Sequence, residues 1–262
     1  MYMQITFLGT GTSCGVPVIG CACEVCRSSD PKDKRLRCSI LVETETTRLL
    51  VDCGPDFRQQ ILSQPFRRID GILVTHAHYD HVGGMDDIRP YCQFGEINVY
   101  ADTLACKGML QMLPYCFAEN RYPGVPAIGL QEIHAGKQMT IGDIDILPVR
   151  VMHGQLPILG YRFGPFAYIT DMKYMEADQA SLLRGVEVLV VNALRFDKPH
   201  HSHQLVADAV DFAHSIGARR TLLTHVCHDI GLHATASDRL PKDVELAYDG
   251  QRLTLLAPAT AR

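Results

Sequence analysis

The feature that most constrains this chain is a T-H-x-H-x-D-H run at residues 75–81, directly after the apolar segment at residues 72–74. Histidine and aspartate are the side chains that bind a borderline divalent metal at neutral pH. His76 and His78 are two residues apart, so an extended turn at a strand end points both the same way. Asp80 and His81 follow where the chain turns into a helix and can face a second metal. The motif predicts a hydrolytic two-metal site, with a histidine-rich surface loop as the alternative.

The composition is typical of a globular protein and disfavours several other classes. The chain has 262 residues, 47% of them hydrophobic, and a formal net charge of −4, so no basic field exists to collect nucleic acid. No apolar run approaches the length of a membrane span, and no signal peptide is visible. Ten cysteines without such a signal indicate reduced thiols and metal ligation. We therefore expect a cytoplasmic protein without membrane or polynucleotide partners; a homodimer would be unsurprising.

Strand-like segments dominate the chain, and helical segments interrupt them. The pattern predicts helices at Pro55–Leu62 and Ser202–Ser215, the second with an apolar stripe. Predicted strands are Gln4–Leu8, Ser39–Glu43, Thr47–Asp52, Gly71–Val74, Ile97–Ala101, Thr140–Val149, Tyr161–Phe163, Phe166–Thr170, Val186–Val191 and Arg220–Thr224. With no linker or repeat, these elements fit an αββα sandwich of two sheets in one domain, 1–262.

Three further ligand-type residues stand at predicted strand ends. His153, Asp171 and His225 each follow an apolar run. The carboxyl ends of strands are where an α/β fold gathers its chemistry. One such histidine alone would more often be a hydrogen-bonding residue, but three of these residues beside the first motif predict a completed binuclear site.

The order of these ligands resembles the metallo-β-lactamase superfamily, over most of the chain. The resemblance implies a four-layer αββα fold and a hydroxide held between two metals as the attacking group. It implies one metal on His76, His78 and His153, a second on Asp80, His81 and His225, and Asp171 as the bridge between them. At the bridging position the β-lactam-cleaving branch looks to have a cysteine. The aspartate of this chain is similar to the residue found there in branches that cleave phosphodiesters or thioesters.

A second metal site is predicted in the loop at residues 20–27, which contains a C-x-C-x-x-C motif. Thiolates of Cys21, Cys23 and Cys26 can bind zinc, and a fourth ligand would complete a structural tetrahedron. His228, three residues after His225, is the best fourth ligand, with Cys14 and Cys227 as spare candidates. A redox thiol cluster is the alternative.

This loop, together with the preceding G-T-G-T-S-C-G-V-P segment at residues 9–17 and the final T-H-x-x-H pair, resembles the PhnP-type phosphodiesterases of the carbon–phosphorus lyase pathway. The resemblance implies a structural zinc on Cys21, Cys23, Cys26 and His228. It also implies manganese or zinc at the catalytic pair. The implied substrates are small-molecule phosphodiesters: a cyclic ribosyl phosphate, 2′,3′-cyclic nucleotides and simple diesters.

A histidine-rich stretch at residues 199–203 offers a proton donor. By position, His203 is similar to the non-ligand histidine that PhnP and tRNase Z enzymes use to contact phosphate and protonate the leaving oxygen. The stretch departs from the PhnP pattern, in which proline and arginine precede a single histidine, so His200 and His201 stay open as alternatives. We expect both the ligand Asp80 and His203 to be required for catalysis.

Other polar residues could contact the substrate. Ser39 could place a hydroxyl beside it. Arg35 and Arg37 could pair with phosphate bidentately, or they could be loop charges.

The sequence as a whole predicts a metal-dependent phosphodiesterase acting on small cyclic or simple phosphodiesters. A tRNase Z-like ribonuclease is the first alternative. The acidic net charge disfavours it. So does the spacing of His153 and Asp171, because the 17 residues between them are too few for an arm that grips tRNA. A PqqB-like protein of quinone-cofactor biosynthesis is the second. PqqB-like chains look degenerate at the first motif, whereas this chain has every ligand. A non-catalytic metal-binding module is the third, and the complete ligand set disfavours it as well.

Overall fold

The computed structural model describes residues 2–120 and 122–256, which form two seven-stranded mixed sheets. The first sheet contains, in spatial order, Arg252–Leu256 (β14), Tyr2–Gly9 (β1), Ser39–Glu43 (β2), Arg48–Val51 (β3), Gly71–Leu73 (β4), Ile97–Ala101 (β5) and Ile128–Glu132 (β6). The second contains Val244–Leu246 (β13), Arg220–Thr224 (β12), Val188–Asn192 (β11), Phe166–Ile169 (β10), Leu156–Phe163 (β9), Ile144–His153 (β8) and Met139–Ile141 (β7).

Short helices connect the strands. They are Glu24–Arg27 (α1), Phe57–Ile61 (α2), Tyr79–Val82 (α3), Thr103–Met112 (α4), Pro114–Phe117 (α5), Ala177–Ser181 (α6), Val206–Ile216 (α7) and His233–Ser237 (α8), with 3₁₀ turns at Pro31–Asp33, Met85–Phe94 and His228–Ile230. None of the described helices is long and apolar enough to cross a membrane.

The hydrophobic core lies in three layers. A central cluster between the sheets includes Phe7, Tyr161 and Phe166, all essentially inaccessible to solvent. Helices α2 and α4 cover the outer face of the first sheet, and α7 and α8 cover that of the second. Strands buried on both faces must be apolar throughout, as Val188–Val191 in β11 are. The predicted αββα sandwich is confirmed.

Several predicted boundaries change. The helix predicted over residues 202–215 begins only at Val206, because the main-chain N–H of Leu205 donates to the carboxylate of Asp208 in the first turn. The histidine-rich stretch before it is therefore a loop. The short strand predicted at Tyr161–Phe163 extends back to Leu156, because this segment pairs with residues 147–153 of β8.

Candidate metal centre

The predicted ligands converge at one edge of the two sheets. His76 and His78 follow β4, and His153 ends β8. Asp171 follows β10 and His225 follows β12, which flank β11 in parallel pairing, so both residues emerge at the same end. The backbones of Asp171 and His225 are left-handed, with φ of 56° and 51°. Such strained conformations cluster where side chains must be aimed at a site.

The helix that carries Asp80 and His81 is held against the loop after β3. The main-chain N–H of Cys53 donates to the carbonyl of His81, and that of Gly84 donates to the carbonyl of Cys53. The approach is so close that a Cβ on Gly84 would lie 2.0 Å from the Gly54 carbonyl oxygen. Gly84 is therefore required by this close approach of two main-chain segments, and not by an unusual φ.

Two groups of donor atoms form at this edge. In the first group, ligand atoms of His76, His78 and His153 lie within 4.8 Å of one another. The second group, Asp80, His81 and His225, satisfies the same limit. Asp171 is close to both groups: its ligand atom lies within 4.8 Å of those of His76 and His81. One of its oxygens lies 3.1 Å from His81 Nε2 and the other 3.1 Å from His225 Nε2.

Donor atoms of the second group fit a divalent cation better than they fit one another. Nε2 of His81 and both ring nitrogens of His225 are buried, yet none is aligned for a hydrogen bond within the described residues. A buried polar atom without a partner is costly, and a cation shared with a nearby carboxylate would satisfy it. Imidazole and carboxylate donors in this number suit zinc or manganese.

The charged side chains around Asp171 shift one another's pKa values and keep this carboxylate ionised. Although burial opposes it, His225 and His81 hold the pKa of Asp171 well below its usual range. Burial also acts against a charged His81, but Asp52 and Asp171 together raise the pKa of that histidine well above its ordinary value. Asp171 is therefore an anion ready to neutralise cationic charge.

Asp52 is a site residue that the sequence reasoning missed. It is completely buried, accepts a hydrogen bond from the Thr75 main-chain N–H at 2.8 Å and lies 2.7 Å from His81 Nδ1. An aspartate behind a ligand histidine orients its ring and raises its basicity. The available signal was its position at the end of a strand that pairs in parallel with β4, although nothing local in the sequence reveals this pairing.

Replacing Asp52 with asparagine should reduce metal affinity or turnover about 10- to 100-fold, because His81 loses its charged hydrogen-bond partner. Metal titration of the folded variant measures the effect. Asp56→Asn is the control, since Asp56 pairs with Arg37 at 3.0 Å and touches no predicted ligand. Equal metal affinity together with equal turnover in the two variants would contradict the orienting role of Asp52.

The three histidines of the 199–203 stretch have different surroundings in the structure. The ring of His203 lies 4.8 Å from the rings of His153 and His225, and its Nδ1 lies 3.6 Å from Asp171. His200 stacks on His203 at 4.9 Å, whereas His201 is exposed and contacts the His200 ring. Burial, reinforced by His225, lowers the pKa of His203 to about 3. Of the three, His203 is the one placed among the ligands.

The structure contradicts the predicted substrate contact of Ser39 and shows other partners for Arg35 and Arg37. Ser39 is fully buried, and its hydroxyl donates to the Asp52 carbonyl at 2.8 Å, so it cannot reach a substrate. Arg35 is 3% exposed and donates to the Ala247 carbonyl at 2.6 Å. Arg37 is engaged by Asp56. These three residues support loops around the site.

The cysteine loop forms a second donor cluster. Nδ1 of His228 lies 3.4 Å from the Sγ atom of Cys21, 3.3 Å from that of Cys23 and 3.6 Å from that of Cys26. The Cys26 main-chain N–H and then His228 lower the pKa of Cys23 to about 6, whereas burial raises the pKa of Cys26 to about 11. Three sulfurs and one imidazole fit a tetrahedral zinc site.

Comparison with known proteins places the chain among hydrolases of this architecture. A family model described as a beta-lactamase superfamily domain matches residues 47–226. The crystal structure of a diphosphatase from the PhnP family superimposes with a TM-score of 0.90 at 36% identity, covering 97% of this chain and 98% of that one.

Curated relatives are longer than this chain. An octanoyltransferase from Porphyromonas gingivalis is 43% identical over 249 residues, which are 95% of this chain and 51% of the relative. A ribonuclease Z from Methanopyrus kandleri is 27% identical over 137 residues, 50% of this chain and 45% of the relative. The chain thus spans about half the length of these curated relatives.

Proposed function

The chain belongs to the PhnP family of the metallo-β-lactamase superfamily, and we propose on this basis that it hydrolyses small cyclic or simple phosphodiesters, of the ribosyl cyclic phosphate or 2′,3′-cyclic nucleotide type. At family level it is a metal-dependent hydrolase. The observation that carries the proposal is the convergence of seven ligand-type side chains, six of them grouped around the carboxylate of Asp171. An oxygen-rich, anionic bridge suits cations that hold phosphate oxygens.

Each residue group has a distinct task in this proposal. His76, His78 and His153 would hold one cation, while Asp80, His81 and His225 would hold the other. When bound, the cations supply positive charge for the phosphate and lower the pKa of a water. Asp171 keeps the two ligand groups together, and Asp52 fixes the ring of His81. His203 faces the space between the groups, where it would protonate the departing alkoxide.

A small substrate is favoured over a tRNA. The net charge of −4 provides no field for a polyanion. The 17 residues between His153 and Asp171 contain β9 and β10. These two strands form a hairpin within the second sheet, so the segment does not project as an arm.

A second candidate function is hydrolysis of an acyl thioester. The observation that favours it is the octanoyltransferase name of the 43% identical relative. Because the match covers 51% of that relative, the named activity can reside in the half that this chain does not match. The phosphodiesterase proposal therefore comes first.

The test is turnover by manganese- or zinc-loaded protein of three substrates: bis(p-nitrophenyl) phosphate, a 2′,3′-cyclic nucleotide and an octanoyl thioester. We expect phosphodiester hydrolysis that a chelator abolishes and added metal restores, because the predicted reaction depends on the cations. Circular dichroism of the chelated protein controls for unfolding. Turnover of the thioester alone would favour the second candidate. Absence of phosphodiester turnover in folded, metal-loaded protein would contradict the proposal.

A further inference from the structure

Two neighbouring cavities lie beside the first ligand group. A cavity of about 120 Å³ is bounded by His76 and His78 on one side and by Leu104, near the start of α4, on the other. It shares Asp102, Leu104 and Pro157 with a larger cavity of about 390 Å³. The two cavities therefore adjoin, and together they are called the groove.

The walls of this groove are mainly apolar. Leu104 is 50% exposed, which leaves a large part of its side chain in water. Half-buried Leu156, Pro157 and Ile133 complete the walls, and Arg150 and His134 stand among the residues of the larger cavity. Exposed apolar surface lining a concave site is a common mark of a ligand subsite, because covering it is favourable.

We propose that this groove binds an apolar arm, alkyl or aryl, of the ester hydrolysed at the metal centre. The inference rests on the proposed function, since it takes the phosphate to lie at the ligand groups. The occupant is part of the substrate because the groove opens on His76 and His78 themselves. The combined space is within the range of pockets that enclose small molecules.

The experiment compares three p-nitrophenyl phosphodiesters whose second ester group is methyl, phenyl or octyl, so the leaving group stays constant. We expect a KM about tenfold lower for the arm that the groove accepts than for methyl, with kcat little changed. Phenyl against octyl distinguishes an aryl from an alkyl occupant. Leu104→Asp should raise that KM about tenfold, a larger rise than for the methyl ester.

The matched control is Leu110→Asp, on the same helix. Leu110 is 44% exposed, close to the value for Leu104, but does not line the groove. The control should leave all three KM values unchanged. Equal KM values for the three esters in the unmodified protein, or equal effects of the two substitutions, would overturn the groove assignment.

Calorimetric binding of octyl-, phenyl- and methylphosphonate to the metal-loaded protein separates this inference from the proposed function. The octyl or phenyl compound should bind more tightly than the methyl compound. If Leu104→Asp removes this difference and Leu110→Asp preserves it, the result supports the groove even when no diester is hydrolysed. Such a result without turnover would contradict the phosphodiesterase proposal alone. Equal affinity for all three phosphonates in an active enzyme would overturn the groove and leave the activity standing.

Discussion

Replacing His203 with alanine should lower kcat for a 2′,3′-cyclic nucleotide about 10²- to 10⁴-fold, the usual contribution of a positioned general acid. The same substitution should have a much smaller effect on a p-nitrophenyl ester. The cyclic nucleotide expels an alkoxide, which needs a proton, whereas p-nitrophenolate is stable as an anion. The ratio of the two losses therefore measures proton donation rather than general damage.

The surroundings of His203 explain why we expect its protonation to depend on a bound substrate. Its ring stands between those of His153 and His225, and burial lowers its pKa to about 3. An uncharged ring can donate one hydrogen bond, and a phosphate anion beside it favours the protonated form. We therefore expect the donor to become charged only when a substrate is bound.

Two comparisons distinguish donation from other roles of His203. His201→Ala is the control, because His201 is exposed and its ring contacts His200 rather than a ligand. Metal content should stay unchanged in His203→Ala. Since His203 also lies close enough to His153 and Asp171 to share a cation, a loss of bound metal would identify it as a ligand instead. An equal loss of turnover on both substrates would contradict proton donation.

The candidate metal ligands could be found in the sequence because most of them follow or end a strand, as His76, His153 and Asp171 do. The rule that parallel strands end at one edge then predicts that they meet, as Asp171 and His225 do. The αββα architecture followed from the same strand pattern. Neither inference required knowledge of long-range side-chain contacts.

Asp52 and Ser39 show where sequence reasoning stops. Both are polar residues at strand ends of the first sheet, and only the tertiary structure distinguishes their roles. Asp52 meets His81, 29 positions away, whereas the Ser39 hydroxyl turns inward to the main chain of Asp52. The choice among the 199–203 histidines is similar, since it depends on the loop that Lys173 holds through the carbonyls of His200 and His203.

Replacing Cys23 with alanine should remove one bound zinc per chain and lower the unfolding midpoint by about 10 °C. Loss of a structural metal is among the few changes that destabilise a protein by about 4 kcal/mol or more. For a chain of this size each kcal/mol corresponds to about 2–4 °C. Elemental analysis and thermal unfolding, with and without chelator, measure the two effects.

The same substitution should also weaken the catalytic site. The main chain between His225 and His228 is short, and the Val226 N–H donates to the carbonyl of Thr10, which lies between β1 and the cysteine loop. A zinc on His228 would therefore restrain the segment that presents His225. Cys14→Ser is the control, because Cys14 is exposed and lies outside the cluster. If Cys23→Ala retains its zinc and its midpoint, or if Cys14→Ser loses as much of both, the cluster is not the zinc site, and the redox alternative gains support.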